Sequence, residues 1–266
     1  MRITIPHMDL KQIAESGQCF RWKRLSDDTY VIPGERGHNQ GCEPLTITQT
    51  GDLFELSCSE DDWNSQWKYY FDMDTDYDDV MRRIMESDDE HAKECYRLGS
   101  GIRILRQELW EMIVSFLISQ NNNISRITNS IDKICEKNGG RFPYPGEIDV
   151  SLFDDKSLGL GYRVPYLKDI FTYALDNPKW LDDLKTMDYD TAFNTLKERN
   201  GIGPKVANCI CLFGLHHTES FPIDTHVKQL LETYYPNGFD YDYYEGIAGI
   251  IQQYLFYYEL LQKKRK

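Results

Sequence analysis

The sequence predicts an α+β protein: an amino-terminal antiparallel β-sheet followed by an all-helical region. Three observations predict it. From Ile3 to Leu56 apolar residues alternate over short stretches separated by Gly and Pro, the pattern of half-buried strands joined by turns. From about Asp76 onward the apolar spacing changes to three and four, which lines up one face of a helix. Gly/Pro clusters at 139–146, 159–161, 201–204 and 236–238 then cut this second region into separate helices, with no repeat at a fixed period.

Taken in chain order, Thr29-Tyr30-Val31-Ile32 and Leu45-Thr46-Ile47-Thr48 read as strands, accompanied by a helix or two. An acidic block follows. Met81, Ile84 and Met85 open the helical pattern, and Ile102, Leu105, Leu109, Ile113, Phe116 and Leu117 continue it. Further helices are expected over 124–137, 165–176, 188–198, 204–214, 225–235 and 243–262. The basic end Lys263-Lys264-Arg265-Lys266 reads as a frayed terminus. The change of period divides the chain into a sheet subdomain over 1–75 and a helical domain over 76–266, the latter expected in two lobes around a cleft.

Composition narrows the function. With 266 residues and 41% hydrophobic content, the chain can bury a core and is not disordered throughout. No run of about 18 apolar residues occurs, so a spanning helix is not expected. Met1-Arg2-Ile3-Thr4 opens no long apolar segment of a secretory signal. The chain therefore reads as a soluble, intracellular monomer without a membrane partner, cytoplasmic or nucleoid-associated if bacterial. Its seven cysteines, at 19, 42, 58, 95, 135, 209 and 211, form no paired framework and no CxxC. Reduced thiols are expected, and neither disulfides nor a zinc ribbon.

The formal charge of −13, from 43 acids and 30 bases, argues at first against a nucleic-acid partner. The distribution weakens that objection. Residues 60–90 hold 12 acids and 3 bases, a net of −9, whereas residues 192–232 hold 4 of each. A balanced surface can still carry a local basic stripe.

The densest signal is Lys197-Glu198-Arg199-Asn200-Gly201-Ile202-Gly203-Pro204-Lys205-Val206-Ala207-Asn208-Cys209-Ile210. A helix is expected to end at Arg199 or Asn200, the glycines allow a tight reversal, and Pro204 suits the first turn of a new helix. This is a helix-hairpin-helix. The free N–H groups of the hairpin and of the helix start can hold a phosphate without any side-chain charge. An ordinary turn between helices would carry the same glycines.

Lys205 separates the two readings. In the first turn of a helix, the positive end of the dipole disfavours an ammonium, and partial desolvation disfavours it further. A lysine shifted toward its neutral amine is a competent nucleophile; a lysine touching phosphate is the plainer alternative. Nineteen residues later, Phe221-Pro222-Ile223-Asp224-Thr225-His226 places Asp224 as a helix N-cap. A capping carboxylate stays ionised and can face a developing cation. An amine and a fixed carboxylate together suit cleavage of an N-glycosidic bond, whose transition state carries oxocarbenium charge.

These residues, Gly201-Ile202-Gly203-Pro204-Lys205 followed by Pro222-Ile223-Asp224, resemble the helix-hairpin-helix DNA glycosylase superfamily. Ser16-Gly17-Gln18-Cys19-Phe20-Arg21-Trp22, Ser119-Gln120-Asn121-Asn122-Asn123-Ile124-Ser125-Arg126-Ile127, Leu158-Gly159-Leu160-Gly161-Tyr162-Arg163 and Val206-Ala207-Asn208-Cys209-Ile210-Cys211-Leu212 are similar to blocks of its 8-oxoguanine DNA glycosylase/AP lyase branch. The blocks span residues 9–258 in the family's order.

The resemblance implies a partner, damaged double-stranded DNA, and a role for each matching residue. Lys205 would be the nucleophile and Asp224 the carboxylate that stabilises the sugar cation. The Gly17 carbonyl would accept the N7–H that separates 8-oxoguanine from guanine. Cys209 and Phe256 would lie on opposite faces of the flipped base, and Gln252 would read its Watson–Crick edge. Asn121, Arg126 and Arg163 would read the orphaned cytosine, with Tyr162 as a wedge. Gly201, Gly203 and His226 would contact the backbone. No cofactor or metal is implied. The chain departs from the family at Asn200, Asn208 and Phe213, which touch the shape of the hairpin and pocket. With so acidic a chain, modest and strongly salt-sensitive DNA affinity is expected, with a slope near −0.9 per phosphate neutralised. The competing readings are a glycosylase of other base specificity and a non-catalytic helix-hairpin-helix module. No cysteine follows Asp224, so the iron-sulfur branch is set aside.

Overall fold

The computed structural model describes residues 1–34 and 43–264. Cys42 and the tail residues Arg265 and Lys266 lie outside the described residues. Five strands, β1 (Arg2–Thr4), β2 (Lys23–Arg24), β3 (Thr29–Ile32), β4 (Leu45–Thr50) and β5 (Leu53–Leu56), form one antiparallel sheet in the order β1-β5-β4-β3-β2. Tyr30 pairs with Ile47, and Ile47 with Leu56, so the apolar residues of three strands share a face. A register slip of one residue would turn all of them to solvent.

What covers that face was not visible in the pattern. Helix α1 (Leu10–Glu15) supplies Leu10 and Ile13. The rest comes from the acidic block, which folds into α2 (Glu60–Asp62), a π turn over Trp63–Trp67 and α3 (Lys68–Tyr70). Glu60, Asp61 and Asp62 face outward, Asp72 is buried against Arg106 and Tyr77, and Trp63, Trp67, Tyr70 and Phe71 pack inward on Phe54 and Ile47. The charge density hid an aromatic stripe at helical spacing.

The second core is helical. After α4 (Tyr77–Glu86) and α5 (Glu90–Gly99) come α6 (Leu109–Ser119), α7 (Ile124–Lys137), α8 (Val164–Asp176), α9 (Trp180–Leu184), α10 (Tyr189–Lys197), α11 (Pro204–Gly214), α12 (Thr225–Tyr234) and α13 (Ala248–Lys264). Helix α6 is apolar on all sides and sits in the middle, with Trp110, Met112, Ile113, Val114 and Leu117 fully buried. Helix α11 packs along it, α10 packs on α11, and α13 lies against α5. No helix among the described residues is long and apolar enough to cross a membrane, and the six described cysteines are free.

Three boundaries differ from the spacing. Ile102 and Leu105 are buried but the segment from 102 to 108 is irregular, not helical. Distant groups take its N–H donors: Ile104 N donates to the Tyr77 hydroxyl (2.8 Å), Leu105 N to Gln18 Oε1 (2.9 Å) and Arg106 N to the Tyr70 carbonyl (3.0 Å). Helix α13 begins at Ala248, not 243, because Tyr243, Tyr244 and Glu245 are held in turns by the Arg83 guanidinium and the Asp240 carboxylate. The same helix runs through Lys263 and Lys264, so the expected fraying does not begin there. In the α4 pattern, Met85 is exposed at 40% and contributes little to the core.

Candidate active site

Two concavities meet at Lys205 and Asp224. The first is a pocket of about 340 Å³ lined by Gly17, Phe116, Lys205, Cys209, Asp224, Gln252 and Phe256, among others. The second is an open groove whose walls include Asn121, Arg126 and Tyr162 on one side and Gly203, Val206 and His226 on the other. The lysine and the aspartate line both. A group held in the groove and another held in the pocket would therefore be joined across these two side chains.

The hairpin that delivers Lys205 forms as its sequence suggests, although α10 ends at Lys197, earlier than expected. Gly201 has φ +81°, and a Cβ there would lie 2.4 Å from the Tyr166 ring. Only glycine satisfies both constraints. Gly203 is different. Its backbone is extended, it caps α11 without any side chain, and a Cβ would meet nothing within 4 Å. Pro204 follows at N1, so the N–H groups of Lys205 and Val206 stand uncapped at the groove, a backbone anion site.

Lys205 is half-buried, its Nζ 5.4 Å from the centre of the Phe116 ring. One turn on, Cys209 is buried at its side. Burial pushes the Cys209 thiol up, against the charge and hydrogen bond of Lys205, which pull it down. The thiol is thus a neutral, compact wall of the pocket, not a competing nucleophile. Asp224 caps α12, accepting from His226 N (2.9 Å) and Val227 N (2.8 Å). Two donated N–H bonds hold it in one orientation at the junction.

The pocket walls come from distant segments. Gly17 has φ +79°, and a Cβ there would lie 3.2 Å from Phe256 Cε1. Two side-chain amides clamp the backbone on either side: Gln253 Nε2 donates to the Ser16 carbonyl (2.6 Å), and Gln107 Nε2 to the Gln18 carbonyl (2.7 Å). Among the described residues no donor bonds the Gly17 carbonyl itself. Gln252 donates Nε2 to the Pro222 carbonyl (2.9 Å), and its Oε1 is buried without a partner. A ligand that donates a hydrogen bond there would satisfy it. Phe213 stacks on Phe116 at 5.4 Å and 16°, forming an aromatic wall. Asn208 faces away from the pocket, with Oδ1 accepting from the Tyr189 hydroxyl (2.7 Å) and the Ser220 hydroxyl (2.9 Å).

Of the residues singled out in the sequence, Gly17, Lys205, Cys209, Asp224, Gln252 and Phe256 share the pocket. Asn121, Arg126, Tyr162, Gly203 and His226 share the groove with Lys205 and Asp224. Asn121 is exposed with φ +46°, Arg126 is exposed on α7, and Tyr162 is 52% exposed with its hydroxyl on the Gln120 carbonyl (3.0 Å). Two residues stand apart. Gly201 lies behind the Tyr166 ring, and Arg163 is buried, donating to the carbonyls of Gln120 (2.9 Å), Leu160 (3.1 Å) and Asn121 (3.1 Å). Arg163 holds the loop that presents Asn121. To reach a base directly it must first release those carbonyls. The clamp residues Gln107 and Gln253 and the ring of Phe116 were missed, since isolated glutamines and a core phenylalanine carry no local signal.

Comparison with known proteins follows the same outline. Residues 1–113 match the family model for the N-terminal domain of 8-oxoguanine DNA glycosylase. The N-glycosylase/DNA lyase of Saccharomyces cerevisiae is 28% identical over 258 residues, covering 85% of this chain and 68% of the yeast protein. The 8-oxoguanine glycosylase/lyase of Clostridium acetobutylicum, in complex with duplex DNA containing cytosine opposite 8-oxoG, superposes with a TM-score of 0.82 at 28% identity, covering 100% of this chain and 99% of that one. MBOgg1 bound to a low-affinity DNA ligand gives a TM-score of 0.86 at 29% identity, covering 100% and 96%.

Proposed function

We propose that this chain, which is similar in sequence and fold to 8-oxoguanine DNA glycosylase/lyases, excises 8-oxoguanine from duplex DNA and then cleaves the strand at the abasic sugar. The observation that carries the proposal is that Lys205 and Asp224 stand where the groove opens into the pocket. In this reading the duplex backbone lies along the groove and the extruded base enters the pocket.

In this reading Lys205, as the neutral amine, attacks C1′ through its nitrogen lone pair. The C1′–N9 bond breaks and its electron pair leaves with the base. Asp224, ionised and fixed by its two cap bonds, faces the positive charge that develops on the sugar. The resulting amine adduct opens to a Schiff base, loses a proton from C2′, and expels the 3′ phosphate by β-elimination. The Schiff base acts as the electron sink, so no cofactor is required.

Selectivity rests on the unpaired Gly17 carbonyl. The lesion offers N7–H to this acceptor; guanine offers a bare N7, leaving two acceptors opposed. The difference is worth about 1–3 kcal/mol. Phe256 and Cys209 would hold the base from either side, with the unsatisfied Oε1 of Gln252 reading its edge. Asn121, Arg126 and Tyr162 would occupy the strand gap opposite.

Borohydride reduction tests the scheme, since it freezes a Schiff base into a stable amine. The wild-type protein is expected to become covalently attached to an 8-oxoguanine:cytosine duplex. Lys205→Gln is expected to bind the duplex and give no adduct. An adduct in the variant would remove Lys205 as the nucleophile. Duplexes carrying thymine glycol or an alkylated purine serve as controls for base choice.

A further inference from the structure

Lys263 and Lys264, read from sequence as part of a frayed tail, stand instead in the last turn of α13, and Lys263 lies against the groove. Lys263 places its ammonium on the imidazole of His226, within hydrogen-bond distance of Nδ1 and 3.0 Å from Nε2. His226 lines the groove two residues beyond Asp224. Among the described residues neither side chain is ion-paired to a carboxylate. In a protein with 43 acids and 30 bases, two basic groups in contact and without an acid are anomalous. An ammonium and an imidazole repel whenever both are charged, and an anion bridging them converts that repulsion into two charge-assisted bonds.

We propose that Lys263 and His226 form a two-point clamp for one backbone phosphate of the bound strand, with Lys263 as a DNA-binding residue supplied by the C-terminal helix. The proposal rests on the reading of the groove as a DNA site. It adds a cation at the edge of that groove, where Lys205 itself must be neutral to react. Lys263 touches neither the pocket nor Asp224, so its role is in affinity and not in base release. Helix α13 continues through residues 263 and 264 and so sets the direction of the Lys263 amine toward α12.

The test uses a duplex with a tetrahydrofuran abasic analogue opposite cytosine, which binds without reacting, and measures dissociation constants from 0.05 to 1 M salt. Loss of one phosphate contact flattens the slope of log affinity against log salt by about 0.9. Lys263→Gln is therefore expected to bind about eight-fold more weakly at 0.1 M and almost equally at 1 M. Lys263→Arg is expected to keep the wild-type slope. Single-turnover excision of 8-oxoguanine at saturating protein should stay within about two-fold of wild type in both. A parallel shift of Lys263→Gln at all salt concentrations, or no shift, would overturn the clamp while leaving the DNA reading intact. Failure of the wild-type protein to bind the duplex at any salt would overturn the DNA reading itself.

Discussion

Asp224→Asn separates the two tasks assigned to one side chain. The carboxylate accepts from His226 N and Val227 N at 2.9 and 2.8 Å, and asparagine can accept both with its side-chain carbonyl. Asn and Asp are about equal as N-caps. Only the interaction of the negative charge with the helix dipole is lost, about 0.3–1 kcal/mol. For a chain of this size that lowers Tm by roughly 1–4 °C. The chemical step loses far more, because a fixed charge facing a developing cation contributes about 3–4 kcal/mol, or 100- to 1000-fold in rate. Single-turnover excision of 8-oxoguanine at saturating protein measures the second effect, and thermal unfolding measures the first. Asp224→Ala supplies the contrast: it loses the cap as well, costing about 1 kcal/mol in stability. The reasoning is refuted if Asp224→Asn releases base within about three-fold of the wild-type rate. It is equally refuted if the two variants have the same stability and the same rate, which would make the cap the only function.

The two hairpin glycines should respond in opposite ways. Gly201→Ala places a methyl group 2.4 Å from the Tyr166 ring at φ +81°, and is expected to cost at least about 2 kcal/mol in urea unfolding. Gly203→Ala meets no atom within 4 Å, so it should change stability by less than about 1 kcal/mol, yet weaken duplex binding several-fold by covering the uncapped N–H groups of α11. A pH prediction concerns Glu108, the N-cap of α6. Burial pushes its carboxyl up to about 7, against the bond it accepts from Glu111 N. A carboxyl that holds its proton more tightly when folded contributes stability that is complete below about 4.5 and lost as pH rises through 7. The loss is on the order of 3 kcal/mol. Glu108→Gln keeps the cap acceptor, so its stability should be nearly flat from pH 5 to 8; an unchanged slope in urea unfolding would mean that Glu108 titrates as an ordinary carboxylate.

The clamp around Gly17 shows why part of the site resisted the sequence. Its resemblance block named the glycine, but nothing local indicates that Gln107 and Gln253 reach its neighbours' carbonyls from 89 and 237 positions away. Arg163 shows the converse, since its motif was plain and its environment was not. The guanidinium spends its donors on three carbonyls of its own fold. A motif identifies a residue type; the partners of that residue depend on which segments the fold brings beside it.

The amino-acid order alone determined the elements whose causes are contiguous. Helices α7 and α11 have the bounds that the apolar spacing predicts, because caps, proline at N1 and i to i+4 packing all act within a few residues. Asp224 was legible as a cap for the same reason. The tertiary structure alone decided that the segment 102–108 is not helical, that the acidic block carries the lid of the sheet, and that Lys263 meets His226. Each of these outcomes is set by donors, rings or charges far apart in the chain. Their free energy appears only after the intervening residues have folded, and so it leaves no period in the sequence.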